Sequence, residues 1–427
     1  MSERRKNSDM SGHTLTEKIL ARASGKKEVF PGEIVIGKVD AVFMHSPSYK
    51  FRHFEKIGGV KSVWDSEKVI VATGHHQFLP SNQGVADSLT FVREQCKRYG
   101  IKYLYDMGTG NGHYLMVERG HVWPGALAVG SDSHTTAYGC IGCLGSPMNF
   151  ETTEVMLSGK AWFKVPPTIL VRIEGTTKRG VSARDVAQHV LGKVGLDGAL
   201  WKAVQFSGSY IHRLSVQQRM IFSLLTTEMG ATCGVMDPDD VVLRFMEGRS
   251  RRPFEPVYGD PSAEFVRVIE IDVSDLEPQV AVPPEPSDTK PLADVSGTKI
   301  QQAYVGGCTG GGIEDMRMAA DVLRGRKVHP EVRAIVVPGT RVILDEMLRE
   351  GLIDVFASSG ALVTPPYCGP CQMICVGHLG EGEVMIGTHP RNQPGRAGTN
   401  TRIYLASPFS TAAAAVAGEI VDPRNFL

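Results

Sequence analysis

The sequence predicts a mixed α/β fold of several domains, and three observations support this class. Short apolar runs that are typical of buried strands alternate with helical patterns along most of the chain. Glycine is abundant, with 47 residues, and many glycines follow those runs beside histidine, aspartate or cysteine. A length of 427 residues is enough for about three domains of roughly 150 residues each. In such folds the loops at the strand ends carry the functional side chains.

The first predicted elements follow this alternation. A helix is predicted over 14–23, with Thr14 or Thr16 as its cap. Strands are then predicted at 69–72, 103–105 and 126–129, and one long helix is predicted at 85–98.

The second half of the chain repeats strand–loop–helix patterns. A β-branched strand at 168–173 opens a second unit with helical patterns at 183–191 and 219–229. The last unit has alternating strands and helices at 302–305, 313–323, 334–337 and 341–350, and a short apolar run at 361–363 reads as a buried strand. Five prolines between 274 and 297 predict a linker without regular structure. The predicted organisation is a disordered N-terminus (1–12), domain 1 (13–165), domain 2 (166–273), the linker (274–297) and domain 3 (298–427).

Composition and charge exclude several classes of protein. Lysine plus arginine equal aspartate plus glutamate at 46 each, which leaves no electrostatic footprint for nucleic acid or an anionic membrane. No apolar run approaches the roughly 20 residues of a membrane helix, and the polar N-terminus has no signal-peptide core. We therefore expect a cytoplasmic protein whose eight cysteines are thiols or metal ligands.

Three cysteines in the last third of the chain form the most informative pattern. Cys308 follows one apolar run, and Cys368 and Cys371, spaced Cys-x-x-Cys, follow another. A closed zinc site or a fully ligated iron–sulfur cluster needs four ligands, so three thiolates would leave one metal position open. An open iron can bind substrate and act as a Lewis acid.

Other assignments of the cysteines stay open on spacing alone. A Cys-x-x-Cys pair is also found in redox sites and in buried cores. Cys140 and Cys143 have the same spacing and form a rival pair, and Cys375 is a further candidate ligand. Cys96 and Cys233 lie in helical or core patterns and are predicted to be structural.

Several motifs together resemble the large-subunit family of aconitase and isopropylmalate isomerase, from Leu15 to Pro423. Residues 304–310 and 313–315 resemble the first cluster loop of that family, and 363–371 resemble the second. Residues 130–135, Gly-Ser-Asp-Ser-His-Thr, match its glycine–aspartate–serine–histidine–threonine loop, and 404–408 match its closing strand and turn.

The resemblance implies a three-domain aconitase-type α/β fold without the fourth, swivelling domain. It also implies a [4Fe–4S] cluster on Cys308, Cys368 and Cys371, which demotes Cys140 and Cys143, and the dehydration or hydration of a hydroxy acid. In two-chain relatives a small subunit carries the swivelling domain and the serine that abstracts the substrate proton. We therefore expect a small subunit as partner, in a heterodimer or heterotetramer.

The resemblance also implies the roles of eight further residues. Expected catalytic residues are Asp132, His134, His113, His76 and Glu228, although the sequence does not decide between His75 and His76. Expected substrate-binding residues are Ser133, Arg391 and Arg396; arginine suits a carboxylate because its planar fork binds both oxygens. Without the resemblance, Glu228 reads as a solvated helix residue, the two arginines as loop cations, and Asp132 with His134 as a capped turn.

The chain departs from the family pattern at the same site. Gly74-His75-His76 stands where relatives have an aspartate–histidine pair, so an orienting carboxylate is expected to be missing. Leu224, Gly310 and Pro390 stand where relatives carry asparagine, and His45 lies where isomerases have a glycine-rich aspartate loop. Leucine for asparagine predicts a more apolar pocket wall and a substrate with a less polar tail or fewer carboxylates.

Three functions are consistent with these residues. The first is the large subunit of an isopropylmalate-type hydro-lyase that isomerises its hydroxy acid. The second is a one-way dehydratase or lyase on a divergent substrate. The third is a non-catalytic relative that keeps the cluster, or zinc, for structure.

Overall fold

A computed structural model describes residues 12–45, 47–371 and 375–427. The first part of the chain forms a parallel five-stranded sheet in the order β4-β3-β2-β5-β6, and a separate antiparallel pair, β1 with β7. The elements are α1 (Leu15–Ser24), β1 (Ile34–Lys38), β2 (Ala41–Met44), α2 (Ser48–Ile57), β3 (Val69–Ala72), α3 (Gln83–Arg98), β4 (Tyr103–Tyr105), α4 (Gly112–Glu118), β5 (Leu127–Gly130), a 3₁₀ helix (Ser133–Ile141), β6 (Leu144–Pro147), α5 (Thr152–Ser158) and β7 (Lys160–Lys164).

The three central strands of this sheet are buried at every position. In β2, β3 and β5 each residue is buried, which is why their sequences are continuous apolar runs and do not alternate with polar residues. The helix predicted at 14–23 is confirmed as α1, and Thr14 caps it by accepting a hydrogen bond from the Glu17 backbone N–H.

The middle part of the chain forms a parallel four-stranded sheet in the order β10-β9-β8-β11. Its elements are β8 (Thr168–Glu174), α6 (Ala183–Val194), β9 (Ala203–Ser207), α7 (Ser209–Arg213), α8 (Val216–Leu225), a 3₁₀ helix (Thr226–Met229), β10 (Cys233–Met236), α9 (Asp240–Met246) and β11 (Arg267–Asp272).

The last part of the chain forms a mixed seven-stranded sheet in the order β13-β12-β18-β17-β14-β15-β16. Its elements are β12 (Gln279–Ala281), β13 (Thr289–Pro291), a 3₁₀ helix (Leu292–Val295), β14 (Gln302–Gly306), α10 (Ile313–Leu323), β15 (Arg333–Val337), α11 (Arg341–Arg349), α12 (Leu352–Ser359), β16 (Leu362–Val363), β17 (Val384–Gly387), β18 (Arg402–Ala406), α13 (Pro408–Ala417) and a 3₁₀ helix (Pro423–Phe426).

The segment 274–297 has regular structure, so the expectation of an irregular linker is wrong there. Strand β12 pairs antiparallel with both β13 and β18, and it thereby extends the last sheet. The prolines are compatible with this pairing because Pro291 ends the edge strand β13, while Pro283, Pro284 and Pro286 lie in the turn between the two strands.

Two other expectations also need correction. The run before Cys368 is an edge strand of two residues, not a buried strand, and Leu362 is 60% exposed. Gly12, at the end of the segment predicted to be disordered, forms a β-bridge with Ala263; residues 1–11 lie outside the described residues.

One contiguous hydrophobic core joins the three sheets. It contains Phe43 from the first sheet, Phe206 from the second and Val305 from the third, each at least 96% buried. The proposed domain limits therefore cut across shared packing and stay a prediction. None of the helices in the described parts of the chain is long and apolar enough to cross a membrane.

Candidate active site

The polar residues of the site lie where neighbouring parallel strands end. His45 directly follows β2, while His75 and Asp132 come shortly after β3 and β5. These three strands are adjacent in the first sheet, so their carboxyl ends bring the side chains to one edge. His113 joins them from α4, where Gly112 allows close packing: a Cβ at Gly112 would lie 2.1 Å from the Phe43 ring.

Asp132 is the centre of this group. Its Oδ1 accepts hydrogen bonds from His113 Nε2 at 3.0 Å and from the His134 backbone N–H at 2.8 Å. Its Oδ2 lies 3.7 Å from His45 Nε2 and 3.8 Å from His75 Nε2. Burial acts to raise the pKa of Asp132, but the hydrogen bonds from His113 and His134 outweigh it and hold the pKa well below its usual range. Asp132 is therefore a carboxylate at neutral pH.

His134 belongs to a buried ionic chain with Glu228 and Arg391. His134 Nε2 lies 3.1 Å from Glu228 Oε1, and Arg391 Nε donates to the same oxygen at 2.6 Å. Burial and Arg391 act to lower the pKa of His134, yet the hydrogen bonds with Asp132 and Glu228 raise it overall. Glu228 is only 7% exposed and is not a solvated helix residue.

His75 and His76 differ in their surroundings. His75 is 3% exposed, and its Nδ1 accepts a hydrogen bond from the Gly112 N–H at 3.2 Å. The neutral ring then carries its proton on Nε2, which points to Asp132. Asp132 thus supplies, from the loop after another strand, the carboxylate that is absent from Gly74-His75-His76. Burial lowers the pKa of His75 well below its usual value and that of His76 to about 3, so both rings are neutral at pH 7.

The three predicted cluster cysteines lie in the loops that follow the carboxyl ends of two strands of the last sheet, and all three are buried. Cys308 follows β14, and Cys368 and Cys371 follow β16; each is at most 6% exposed. The hydrogen bond between Cys368 and Cys371 raises the pKa of the Cys368 thiol and lowers that of Cys371. Burial raises the pKa of Cys308, and the charge of Cys371 adds to this effect. The charge of Cys371 thus acts on both Cys308 and Cys368, which is consistent with three thiols that lie near one another.

The surroundings of these thiols fit a metal cluster. The Gly369 backbone packs on Tyr304, and a Cβ there would lie 2.2 Å from the tyrosine Oη. Tyr304 Oη donates to the Cys368 carbonyl at 2.9 Å. Arg396 donates from Nε to the Cys371 carbonyl at 3.0 Å, and its Nη2 lies 3.5 Å from the Cys371 sulfur. Three thiols are a donor set for an iron–sulfur cluster with one open iron position, and the close backbone packing and the nearby cation are consistent with such a cluster.

The residues expected to bind substrate lie on two loops of the site, one between β17 and β18 and one after β5. Arg391 and Arg396 both lie on the loop between β17 and β18, one bound to Glu228 and the other to Cys371. Ser133 is partly exposed beside Asp132, and its carbonyl accepts a hydrogen bond from Thr227 Oγ1 at 2.8 Å.

The structure explains two of the departures from the family pattern. Gly310 leaves room for Thr388, since a Cβ at Gly310 would lie 2.1 Å from Thr388 Oγ1. That hydroxyl in turn bonds the backbone N–H and carbonyl of Gly306, at 2.9 and 2.8 Å. Leu224 has no exposed surface and packs in the core, so its side chain does not form the apolar pocket wall that was expected. Pro390 is buried, and nothing in the structure explains its replacement of asparagine.

The other cysteines lie apart from the three. Cys140 and Cys143 are fully buried in the core that joins the sheets, and Cys375 packs in a small cluster with Tyr367. Among the described residues, Cys368 is the one cysteine in the sets of side chains close enough to hold a single metal ion, and it is grouped there with His75 and His76.

One residue at the centre of the site was not among the predicted functional residues. His45 points Nε2 to Asp132, and its Nδ1 lies 2.9 Å from Ser131 Oγ. The sequence does contain a feature that could have identified His45 as a site residue. It closely follows an apolar run that forms a buried strand, as His75 and Asp132 do.

Comparisons with known proteins agree along nearly the whole chain. The model of the aconitase family (aconitate hydratase) matches residues 60–418. A 3-isopropylmalate dehydratase large subunit 1 from Methanopyrus kandleri is 39% identical over 420 residues, 97% of this chain and 100% of that protein. The Pyrococcus furiosus protein of the same name is 40% identical over 424 residues, 97% and 99% of the two chains.

Two further matches come from a bacterium and from the solved structures. A 3-isopropylmalate dehydratase large subunit from Halothermothrix orenii is 39% identical over 97% of this chain and 100% of its own length. A crystal structure of Thermococcus kodakaraensis aconitase X in its holo-form matches with a TM-score of 0.48 and 11% identity, covering 88% of this chain and 89% of that one.

Proposed function

The chain belongs to the aconitase family, and we propose that it is the large subunit of an iron–sulfur hydro-lyase. Its substrate would be a small hydroxy acid of the isopropylmalate class, which it dehydrates and rehydrates. The observation that carries this proposal is the ionic chain Asp132–His134–Glu228–Arg391 beside the three buried cysteines.

The cysteines would hold the cofactor. Cys308, Cys368 and Cys371 are suited to a [4Fe–4S] cluster, which when bound would supply an open Lewis-acidic iron. The cradle of Gly369, Tyr304 and Arg396 around them is consistent with this cofactor.

The other residues would handle the proton and the carboxylate. Loss of a hydroxyl as water requires a proton, and His134 is the ring whose pKa is raised by carboxylates on both sides. Asp132 orients the His113 ring by accepting from its Nε2, and it accepts a second hydrogen bond from the His134 backbone N–H. The His134 ring is held by Glu228 through Nε2. Arg391 and Arg396 would bind the substrate carboxylate, since a guanidinium meets two carboxylate oxygens at once.

A second subunit would complete the site. The relatives are named as large subunits, and this chain matches them over 97% of its length. We infer a small partner chain that supplies the swivelling domain and the base for the carbon-bound proton, in a heterodimer or heterotetramer.

The test is anaerobic co-purification with a candidate small subunit. About four irons and four sulfides per large subunit, together with interconversion of 2- and 3-isopropylmalate, are the expected results. About one zinc per chain and no turnover would overturn the proposal and favour a structural role for the cysteines.

A one-way dehydratase is the second candidate, and one observation favours it. His45 and His75 face Asp132, although the family pattern predicts carboxyl-containing loops at these positions. Product analysis separates the two candidates: an isomerase returns the shifted alcohol from a panel of branched malates, whereas a dehydratase releases only the alkene.

A further inference from the structure

His389 is a buried histidine whose two ring nitrogens lack a hydrogen-bond partner in the described parts of the chain. It has no exposed surface, and neither Nδ1 nor Nε2 meets a donor or acceptor of the described residues. Buried polar groups are almost always paired, because an unpaired one gives up its hydrogen bonds to water without replacement. The partner of this ring is therefore expected to be a group that the chain binds.

The ring lies beside the loops that carry the cysteines. Its centroid is 5.5 Å from that of the Tyr304 ring, and Tyr304 Oη donates to the Cys368 carbonyl at 2.9 Å. The carbonyl of Thr388, the residue before His389, accepts a hydrogen bond from Oγ1 of Thr309. Thr309 directly follows the first cysteine of the group, so the surroundings of His389 include both cysteine loops.

Two further neighbours define the position of the ring. A Cβ at Gly387 would lie 2.9 Å from His389 Nδ1, so glycine at the end of β17 leaves the space that the ring occupies. The charge of Arg396 acts on His389, and Arg396 Nη2 lies 3.5 Å from the Cys371 sulfur. The ring and a predicted cluster ligand therefore share one neighbouring cation.

We propose that His389 binds the cofactor, with its ring N–H donating a hydrogen bond to a sulfur of the iron–sulfur cluster. This inference rests on the proposed function, because it requires the cluster on Cys308, Cys368 and Cys371. It assigns a role to a residue that is neither a cysteine ligand nor a member of the ionic chain.

The protonation state of the ring suits a donor to a sulfur. Burial, followed by Arg396 and Arg184, lowers the pKa of His389 to about 3, so the ring is neutral at pH 7. A neutral imidazole has one N–H donor and one bare nitrogen. The sulfurs of such clusters accept hydrogen bonds, and these bonds help to set the reduction potential. The single N–H of His389 thus matches a sulfur acceptor.

The departures from the family pattern add weight to this donor. Leu224, Gly310 and Pro390 stand where relatives carry asparagine, and none of the three has a side-chain donor. His389 directly precedes Pro390 and carries a ring N–H. It therefore supplies a side-chain donor next to one of the positions where this chain has none.

Pulsed EPR of the reduced cluster tests the proposal. The full chain is labelled with ¹⁵N-histidine, loaded anaerobically with iron and sulfide, and reduced by one electron. We expect a histidine ¹⁵N hyperfine coupling that is lost in His389→Gln labelled in the same way, because glutamine carries no labelled nitrogen. The exposed His53→Gln is the matched control and is expected to keep the coupling.

The reduction potential gives a second readout, which a purely structural role would not produce. A hydrogen bond to sulfur stabilises the more negative, reduced cluster, so its loss shifts the potential to more negative values. His389→Leu has no donor and is expected to show this shift. His389→Gln keeps an amide N–H and is expected to shift less.

Iron and sulfide are counted first, so that the possible failures can be told apart. A chain that holds about four irons and interconverts the isopropylmalates, but shows no histidine coupling in its unmutated form, overturns this inference alone; His389 then pairs with an internal water. A chain without a cluster overturns both this inference and the proposed function. A coupling that persists in His389→Gln, or equal potentials in all variants, also overturns the inference.

Discussion

Glu228 Oε1 lies 3.1 Å from His134 Nε2 in a buried pair, and Arg391 Nε approaches the same oxygen at 2.6 Å. The glutamate therefore serves two cationic partners with one carboxylate oxygen. Burial and Arg391 act to lower the pKa of His134, and this pairing, together with Asp132, raises it overall because a nearby carboxylate favours the charged imidazolium.

Replacing Glu228 is expected to change the protonation of His134. In Glu228→Gln, burial and Arg391, which both lower the pKa of His134, are opposed by Asp132 alone and no longer by Glu228, so the pKa of His134 falls. The proton is then lost at lower pH, so the basic limb of the kcat/KM profile shifts to lower pH. We expect kcat/KM at pH 7 to fall by about 10²- to 10⁴-fold. Glu154→Gln, an exposed residue on α5, is the control; an unshifted profile in Glu228→Gln would contradict the role of the pair.

The cysteines are expected to separate into two classes by iron content. Serine at Cys308, Cys368 or Cys371 removes one of three thiolates, so iron, sulfide and the visible absorbance should all be lost. Cys96→Ala, on α3, provides a buried cysteine away from the site and should retain them. Iron and sulfide analysis after anaerobic purification checks this, and equal loss in both classes would argue for general destabilisation.

Because Gly310 and Thr388 are in close contact, substitutions at these two positions are expected to have non-additive effects on the free energy of unfolding. Gly310→Ala places a Cβ 2.1 Å from Thr388 Oγ1 and 2.3 Å from Thr388 Cβ, so it should lower the free energy of unfolding by about 3 kcal/mol. Thr388→Gly removes both atoms, and the double variant should be more stable than the sum of the single effects by about 1 kcal/mol or more. Anaerobic urea unfolding measures this, and strict additivity would show that the loop moves aside freely.

His121 is expected to make stability depend on pH. It is 4% exposed, and burial, followed by Arg251 and Arg119, lowers its pKa from 6.5 to about 3. Between these values the unfolded chain binds a proton that the folded chain excludes. Stability therefore falls as pH drops from 6.5 towards 3, by at most about 1.4 kcal/mol per pH unit from this group.

His121→Gln removes that proton from both states. Its free energy of unfolding should decline less steeply than that of the unmutated protein between pH 6.5 and 4, in anaerobic urea unfolding. The exposed His53→Gln is the matched control. Parallel curves for His121→Gln and the unmutated protein would show that His121 does not remain neutral in the folded state.

Local patterns predicted fewer than half of the helices and strands that the structure describes, but they placed several of them closely. The helix at 313–323 and the strand at 103–105 have the predicted limits, because each is bounded by residues that favour a turn. The strand pairing in 274–297 was missed, since five prolines weigh against a strand locally while an edge position tolerates them.

The site could be predicted only in part. The cysteines and the Asp132–His134 loop stand out as motifs, and the structure places them around one region. His45 carries no such motif, and the comparison of Leu224 with the asparagine of the family pattern did not show that its side chain packs in the core.

The sequence by itself determined the α/β class, the positions of several helices and strands, and the residue types that the chemistry requires, because apolar periodicity and glycine positions are local properties. Only the tertiary structure decided which histidines face Asp132, which histidine has a raised pKa, and what fills the space beside Gly310. These outcomes depend on the order of strands in the sheets and on burial, which bring distant segments together and set the pKa of each group.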